Sequence, residues 1–206
     1  MDFRERHVVV TGGAGALGTA LVGALIEAGA ICHVPCFDEA AVARLYQPIA
    51  QLWASIHLAG GFAAGPLRDT TAATIRQQID MNLVSALLCC RAAVTAMSGK
   101  GGRIVNVAAR AALEWRSGAG MTAYTASKAA VAALTAALAE EVAKEGILVN
   151  AVAPSIMDTR ANRAAMPKAD YDLWPKVEEV AATILFLASP DNRVTRGAVV
   201  PVYGRS

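Results

Sequence analysis

The chain has 206 residues, 55% hydrophobic and 17% charged, a balance that predicts one folded domain with a substantial core and excludes a disordered chain. A formal net charge of +2 is too small to point to nucleic acid. No apolar stretch runs for roughly 18–20 residues without a polar break, and the charged opening Met1-Asp2-Phe3-Arg4-Glu5-Arg6-His7 is no secretory signal, so neither membrane insertion nor export is expected and the chain reads as cytoplasmic.

His7-Val8-Val9-Val10 predicts a buried strand. Thr11-Gly12-Gly13-Ala14-Gly15-Ala16-Leu17-Gly18 follows at once, and residues 19–28 predict a helix closed by Gly29. Strand, glycine-rich turn and helix form the setting in which a dinucleotide binds. The glycines let the backbone come close, and the helix N-terminus offers free N–H groups to a pyrophosphate. Residues 30–36 predict a second strand. At its end Cys36-Phe37-Asp38-Glu39 supplies acids and no base, which leans to NAD over NADP, since an acid bonds the ribose hydroxyls and repels a phosphate. Asp38 is equally suited to cap the next helix.

Residues 39–50 predict a helix interrupted at Pro48, and residues 52–58 a strand ending in Ala59-Gly60-Gly61. After a loop at Gly65-Pro66, Thr70 or Thr71 caps a long helix that runs to about Met97. Asn82 sits mid-helix, where asparagine is a poor helix former; it is either exposed or engaged with a carbonyl or water. Residues 103–107 predict a strand, residues 108–121 an irregular loop, and residues 123–145 a helix ending at Gly146. A strand at 147–152, a polar loop at 162–175, a helix at 177–188 and a last strand at 198–202 complete the chain. Alternating strands and helices predict an α/β fold, a doubly wound parallel sheet with helices on both faces. The cysteines at 32, 36, 89 and 90 read as free thiols of a reducing compartment. Cys32, His33 and Cys36 lack a second ligand cluster, and neighbouring strand side chains point to opposite faces, so no metal site is expected.

Tyr124-Thr125-Ala126-Ser127-Lys128 is the reactive stretch. A Tyr and a Lys four apart share one helix face, here inside a run of alanines. A free tyrosine has a pKa near ~10, and a neighbouring ammonium is expected to lower it towards the range of a working acid–base. The bland alternative is a packed tyrosine beside a solvated lysine.

The order of these motifs resembles the short-chain dehydrogenase/reductase family over nearly the whole chain. Residues 11–18 resemble its cofactor turn, with Ala16 for the middle glycine. Leu58-Ala59-Gly60 resembles its Asn-Asn-Ala-Gly strand end, with His57 and Leu58 in the asparagine positions. Asn82 fits its helix asparagine, Tyr124 and Lys128 its catalytic pair, and Asn150-Ala151-Val152-Ala153-Pro154-Ser155 with Thr159 its Pro-Gly segment. The resemblance implies an NAD(P)-dependent oxidoreductase with a Rossmann-type sheet, acting on a small carbonyl or alcohol. Tyr124 would exchange the proton, Lys128 would lower its pKa and hold the nicotinamide ribose, and Asn82 would hold a water in a proton relay. Thr11, Gly12, Gly15, Ala16, Leu17, Gly18, Asp38, Ala59, Gly60, Pro154, Ile156 and Thr159 would hold the cofactor. It also implies a homodimer or homotetramer paired through the two long helices, whose small-residue faces (Ala86, Ala92, Ala93; Ala129, Ala133, Ala137) suit close packing between copies or within the chain.

Three departures follow. Ala109 stands where the family has a serine that hydrogen-bonds the substrate oxygen, and Ser117 or Thr122 are the substitutes nearest in sequence. Only fifteen residues separate the second strand from Leu52-Trp53, so an edge strand and a helix are missing and the adenine end is expected to be open. The segment after Thr159 is short, which predicts a small substrate lid. The glycine turn, Ala59-Gly60-Gly61-Phe62-Ala63 and Ala109-Arg110-Ala111-Ala112-Leu113 give a branch resemblance to dihydropteridine reductase-like members, which work without that serine on a quinonoid ring. A low-activity cofactor-binding scaffold protein is the competing reading of another class.

Overall fold

The computed structural model describes residues 1–35 and 42–206. Strands β1 (His7–Thr11), β2 (Ile31–His33), β3 (Leu52–His57), β4 (Gly102–Val107), β5 (Ile147–Pro154) and β6 (Val199–Val202) form one sheet in the order β2-β1-β3-β4-β5-β6, every pair parallel. The strand order reverses beside β1, which opens a crevice at the carboxyl ends of β1 and β3. The register sets Thr11 beside His57, and His57 beside Asn106, so those strand ends share one edge.

The apolar strands are buried on both faces, as a parallel sheet between helices requires. Alternation sorts their side chains. Val8 and Val10 join Ile56, Val105 and the inner residues of helices α1 (Ala16–Glu27) and α8 (Val177–Ala188) in one cluster. Val9 joins Ile104, Val149, Cys89, Cys90 and Met97 in the other. Helix α2 (Val42–Tyr46) stops two residues before Pro48 and packs into this second layer. Helices α3 (Ala72–Ile79) and α4 (Ser85–Met97) are joined by a π-helical turn at Asp80–Val84. Together they make the run Ala72–Met97, the one helix among the described residues with the length and hydropathy to cross a membrane. Polar residues, among them Arg76, Asp80, Asn82 and Arg91, interrupt that run, as the sequence reading expects. One side of it is core (Cys89, Cys90, Ala93, Met97), and it buries the polar Gln78, Asn82 and Ser85.

Residues 108–121, expected to be irregular, contain a short helix α5 (Arg110–Leu113) and a 3₁₀ turn at Trp115–Gly118. Helix α6 (Thr122–Glu141) ends at Val142, earlier than expected, and a 3₁₀ turn at Ala143–Glu145 follows, closed by Gly146 at φ +72°. Residues 162–175 also differ from the expected loop. Helix α7 (Arg160–Ala165) begins there because Thr159 Oγ1 accepts from the Asn162 N–H at 3.1 Å. The second strand is shorter than expected because β2 is the sheet edge and pairs with only His7, Val8 and Val9. Among the described residues no strand pairs beyond it. The small-residue faces divide: Ala86 and Ala93 are buried in the core, whereas Ala133 and Ala137 are exposed on α6.

Candidate active site

The carboxyl end of β1 leads straight into the glycine turn, and the turn is shaped by contacts that tolerate no side chain. Gly12 holds φ +70°, and a Cβ there would lie 2.7 Å from the Ala59 nitrogen. A Cβ on Gly18 would lie 2.3 Å from the Gly12 carbonyl oxygen, so α1 packs directly on the turn. Gly15 is the N-cap of α1 and offers no capping side chain, and no acidic residue occupies the first turn. The opening N–H groups of α1 therefore face outward with a partial positive charge, which suits a pyrophosphate.

A cleft of about 330 Å³ runs from this turn to the middle of the sheet. Gly12, Gly15, Ala16, Leu17, Gly18, Gly60, Asn82, Tyr124, Lys128 and Pro154 all line it. The cradle thus fits a dinucleotide at one end and leads to the reactive pair at the other. Thr11 and Ala59 stand behind the wall, where Thr11 Oγ1 accepts from the Ala59 N–H at 3.4 Å. Ile156 is exposed and Thr159 caps α7; neither lines the cleft, and Ser155 and Met157 do so from the same segment. Asp38 lies outside the described residues. No cluster of three or more His, Cys, Asp or Glu suited to a metal occurs among the described residues.

Lys128 is buried and donates from Nζ to the Val107 carbonyl at 2.8 Å. Burial pulls its pKa down to about 8 and pushes that of Tyr124 up to about 12. The sequence expectation of a tyrosine lowered by its lysine is therefore reversed in the free protein. The physical reason is that the lysine turns to the end of β4, no hydrogen bond joins it to Tyr124 among the described residues, and desolvation dominates both groups. Phe62 meets the Tyr124 ring edge-on, with centroids 5.0 Å apart at 81°.

Asn82 is buried and its side chain is fully engaged. Oδ1 accepts from the Gly61 N–H at 3.1 Å. Nδ2 reaches the Gly61 carbonyl and the Gln78 carbonyl, each at 3.0 Å, and Ser127 Oγ at 3.2 Å. A Cβ on Gly60 would come within 2.7 Å of Asn82 Oδ1, so glycine is required where the loop crosses the helix. The π turn brings this asparagine to the loop.

Ala109 lines the cleft and carries no hydroxyl. Ser117 does not replace it: it is exposed, bonded to the Glu114 carbonyl at 2.7 Å, and absent from the cleft wall, as is Thr122. Ser155 does line the cleft, and it donates to the Tyr203 carbonyl at 2.9 Å.

Sequence reasoning missed the support beneath the cleft. His57 is buried between Ser55 Oγ (2.8 Å from Nε2) and Asn106 Oδ1 (2.8 Å from Nδ1). The hydrogen-bond directions are fixed from outside. Thr135 donates to the Val131 carbonyl and so accepts from Asn106 Nδ2, which turns Asn106 Oδ1 to the histidine. His57 therefore carries its proton on Nδ1 and accepts at Nε2 from Ser55, and Ser55 accepts from Tyr46. Burial lowers the His57 pKa to about 4. The sequence signal was a histidine in a family asparagine position.

The sequence pattern described as short chain dehydrogenase matches residues 37–170, well over half of the chain. The chain belongs to the short-chain dehydrogenase/reductase family. The 2,3-dihydroxy-2,3-dihydro-p-cumate dehydrogenase of Pseudomonas putida is 30% identical and aligns with 100% of this chain and 96% of its own. That alignment spans 251 positions against these 206 residues. A dehydrogenase subunit of Thauera aromatica is 35% identical over 72% of this chain and 62% of its own length. Among solved structures, a blue fluorescent protein from a metagenomic library, in complex with NADPH, superposes with a TM-score of 0.89 at 27% identity and covers 100% of both chains.

Proposed function

We propose that the protein transfers hydride between a nicotinamide cofactor and a small carbonyl or alcohol substrate, with Tyr124 as general acid–base. The observation that carries this reading is one cleft lined both by the glycine turn and by Tyr124, Lys128 and Asn82. A scaffold gains nothing from a buried lysine and a half-buried tyrosine at the end of a cofactor groove.

The nicotinamide, when bound, supplies or accepts the hydride. The first turn of α1 and Gly12 would hold its phosphates. Tyr124, with its pKa near 12 in the free protein, is protonated at neutral pH and is thus set to donate from Oη to a carbonyl oxygen. Lys128, at about 8, keeps most of its charge at neutral pH and holds it beside Val107 at the cleft wall. It stabilises the phenolate left after donation. Asn82 acts by position: it fixes Gly60 and Gly61 beneath the substrate space.

The choice of NAD or NADP rests on sequence position alone. The acids Asp38 and Glu39 favour NAD, whereas the metagenomic relative is described with NADPH. The second reading is reduction of an easily reduced quinonoid ring. Ala109 favours it, because a substrate that accepts hydride readily has less need of a polarising hydroxyl. A panel of simple ketones and quinonoid pterins with NADH and NADPH separates the readings. Turnover of ketones supports the first, turnover of pterins alone supports the second, and turnover of neither with tight cofactor binding supports the scaffold.

A further inference from the structure

One stretch of α6 carries Tyr124, Ser127 and Lys128. Tyr124 and Lys128 line the cleft. Ser127 does not; it is 2% exposed and bonds to the π turn at Asp80–Val84. Its hydroxyl has one proton, which goes to the Tyr124 carbonyl at 2.7 Å, and it accepts from Asn82 Nδ2 at 3.2 Å. Asn82 in turn grips Gly61 at both backbone polar atoms. The next residue, Phe62, meets the Tyr124 ring edge-on at 5.0 Å between centroids. These contacts close a circuit. It leaves the tyrosine at the backbone carbonyl, passes through Ser127, Asn82 and Gly61, and returns through Phe62 to the ring of the same tyrosine.

The Ser127 hydroxyl is not needed to keep its neighbours paired. Asn82 Nδ2 has two hydrogens and three oxygens in reach: the Gly61 and Gln78 carbonyls at 3.0 Å and Ser127 Oγ at 3.2 Å. Without Ser127 Oγ both hydrogens keep an acceptor. Gln78 offers only its backbone carbonyl, since its side-chain Oε1 has no hydrogen-bond partner. The Tyr124 carbonyl keeps the N–H four residues on, as any carbonyl within a helix does. The serine therefore adds direction more than stability. A hydroxyl bonded to the carbonyl three residues back tilts that peptide, here the one that carries the tyrosine. At the other end Phe62 is 64% exposed, so core packing does not hold it, and the grip of Asn82 on Gly61 sets where it stands.

We infer that Ser127 is a positioning residue: through Asn82 and the Tyr124 carbonyl it sets the angle at which the phenol faces the substrate space. This rests on the reading of Tyr124 as the acid–base, and the test keeps the two apart.

Ser127→Ala and Phe62→Leu open the circuit at a buried and at an exposed point. Neither leaves a buried polar group unpaired, so both are expected to fold, as circular dichroism checks. In protein labelled at the tyrosine rings, the Tyr124 resonances are identified by NMR from their loss in Tyr124→Phe. Ser127→Ala is expected to move them and to leave those of Tyr46, Tyr171 and Tyr203 in place. With the fastest ketone of the panel its kcat falls about tenfold, while KM and the NADH and NADPH dissociation constants stay within about twofold. The double variant is no slower than the slower single one, although Ser127 and Phe62 share no hydrogen bond, and Ser127→Ala costs nothing further in Tyr124→Phe. A moved Tyr124 ring, combined with turnover that ignores Tyr124→Phe, sinks the acid–base reading and leaves the positioning standing. An unmoved ring overturns the positioning whatever kcat does. So do losses that multiply in the double variant, and so does a moved ring with the parent kcat when Tyr124→Phe itself is slow.

Discussion

Asn82 grips Gly61 at both polar atoms of its backbone, taking the N–H at 3.1 Å and giving to the carbonyl at 3.0 Å. A helix-interior asparagine is thereby explained: the side chain replaces the peptide partner that an irregular loop lacks. Asn82→Ala leaves both groups of Gly61 unpaired. The variant is expected to lose about 1–3 kcal/mol in chemical denaturation and to turn over more slowly because Gly60 is no longer held against Lys128. Unchanged stability would remove the clamp from the account.

Lys128 sets a pH dependence of stability. Its folded pKa, about 8, lies below the unfolded 10.5, so between those values the unfolded chain binds the extra proton. Stability of the free protein therefore rises as pH rises from 8 to 10.5, and the penalty is full below 8. Lys128→Met is expected to gain up to about 3 kcal/mol at neutral pH and to flatten that rise, measured by denaturant titration across the window.

His57 makes the opposite end of the pH scale costly. Its folded pKa of about 4 lies below the ordinary 6.5, so the unfolded chain takes up a proton first as pH falls. Its contribution is intact above pH 6.5 and is lost by about pH 4, a change of up to about 3 kcal/mol. His57→Asn replaces the titrating ring and is expected to hold its stability better over that interval in acid-melting experiments.

Ala109 offers a gain-of-function test. Its backbone is extended (φ −161°, ψ 162°), a conformation serine adopts freely, and it lines the cleft. Removal of an oxyanion donor elsewhere costs ~10²–10³ in rate. Ala109→Ser is expected to raise kcat/KM on simple ketones by at least about tenfold and to change little on quinonoid rings. Equal effects on both substrate classes would mean that the new hydroxyl does not reach the substrate oxygen.

The cofactor cradle was legible because three local signals, a β-branched strand, a glycine run and an apolar helix, are contiguous from His7 to Glu27. Helix α8 was equally plain, because its apolar period and its end beyond Ala188 are local. The pKa of Tyr124 was misread for a physical reason. An i,i+4 pair shares a face, but the lysine found a carbonyl on β4, more than twenty residues away in sequence, and burial outweighed the pairing. Whether Ser117 replaces the missing serine was not legible, because sequence proximity to Tyr124 does not fix the direction in which the 3₁₀ turn points its side chains. The buried Ser55–His57–Asn106 chain and the unpaired Gln78 depend on neighbouring elements, so no window of sequence contains them.

The most direct test of the central claim is Tyr124→Phe, which keeps the ring and its contact with Phe62 and removes only the phenolic oxygen. Turnover is measured with the best substrate of the panel beside NADH and NADPH binding by fluorescence titration. The account predicts intact cofactor binding and a fall in kcat of ~10²–10⁴, the usual contribution of a general acid–base. Turnover equal to the parent would contradict it.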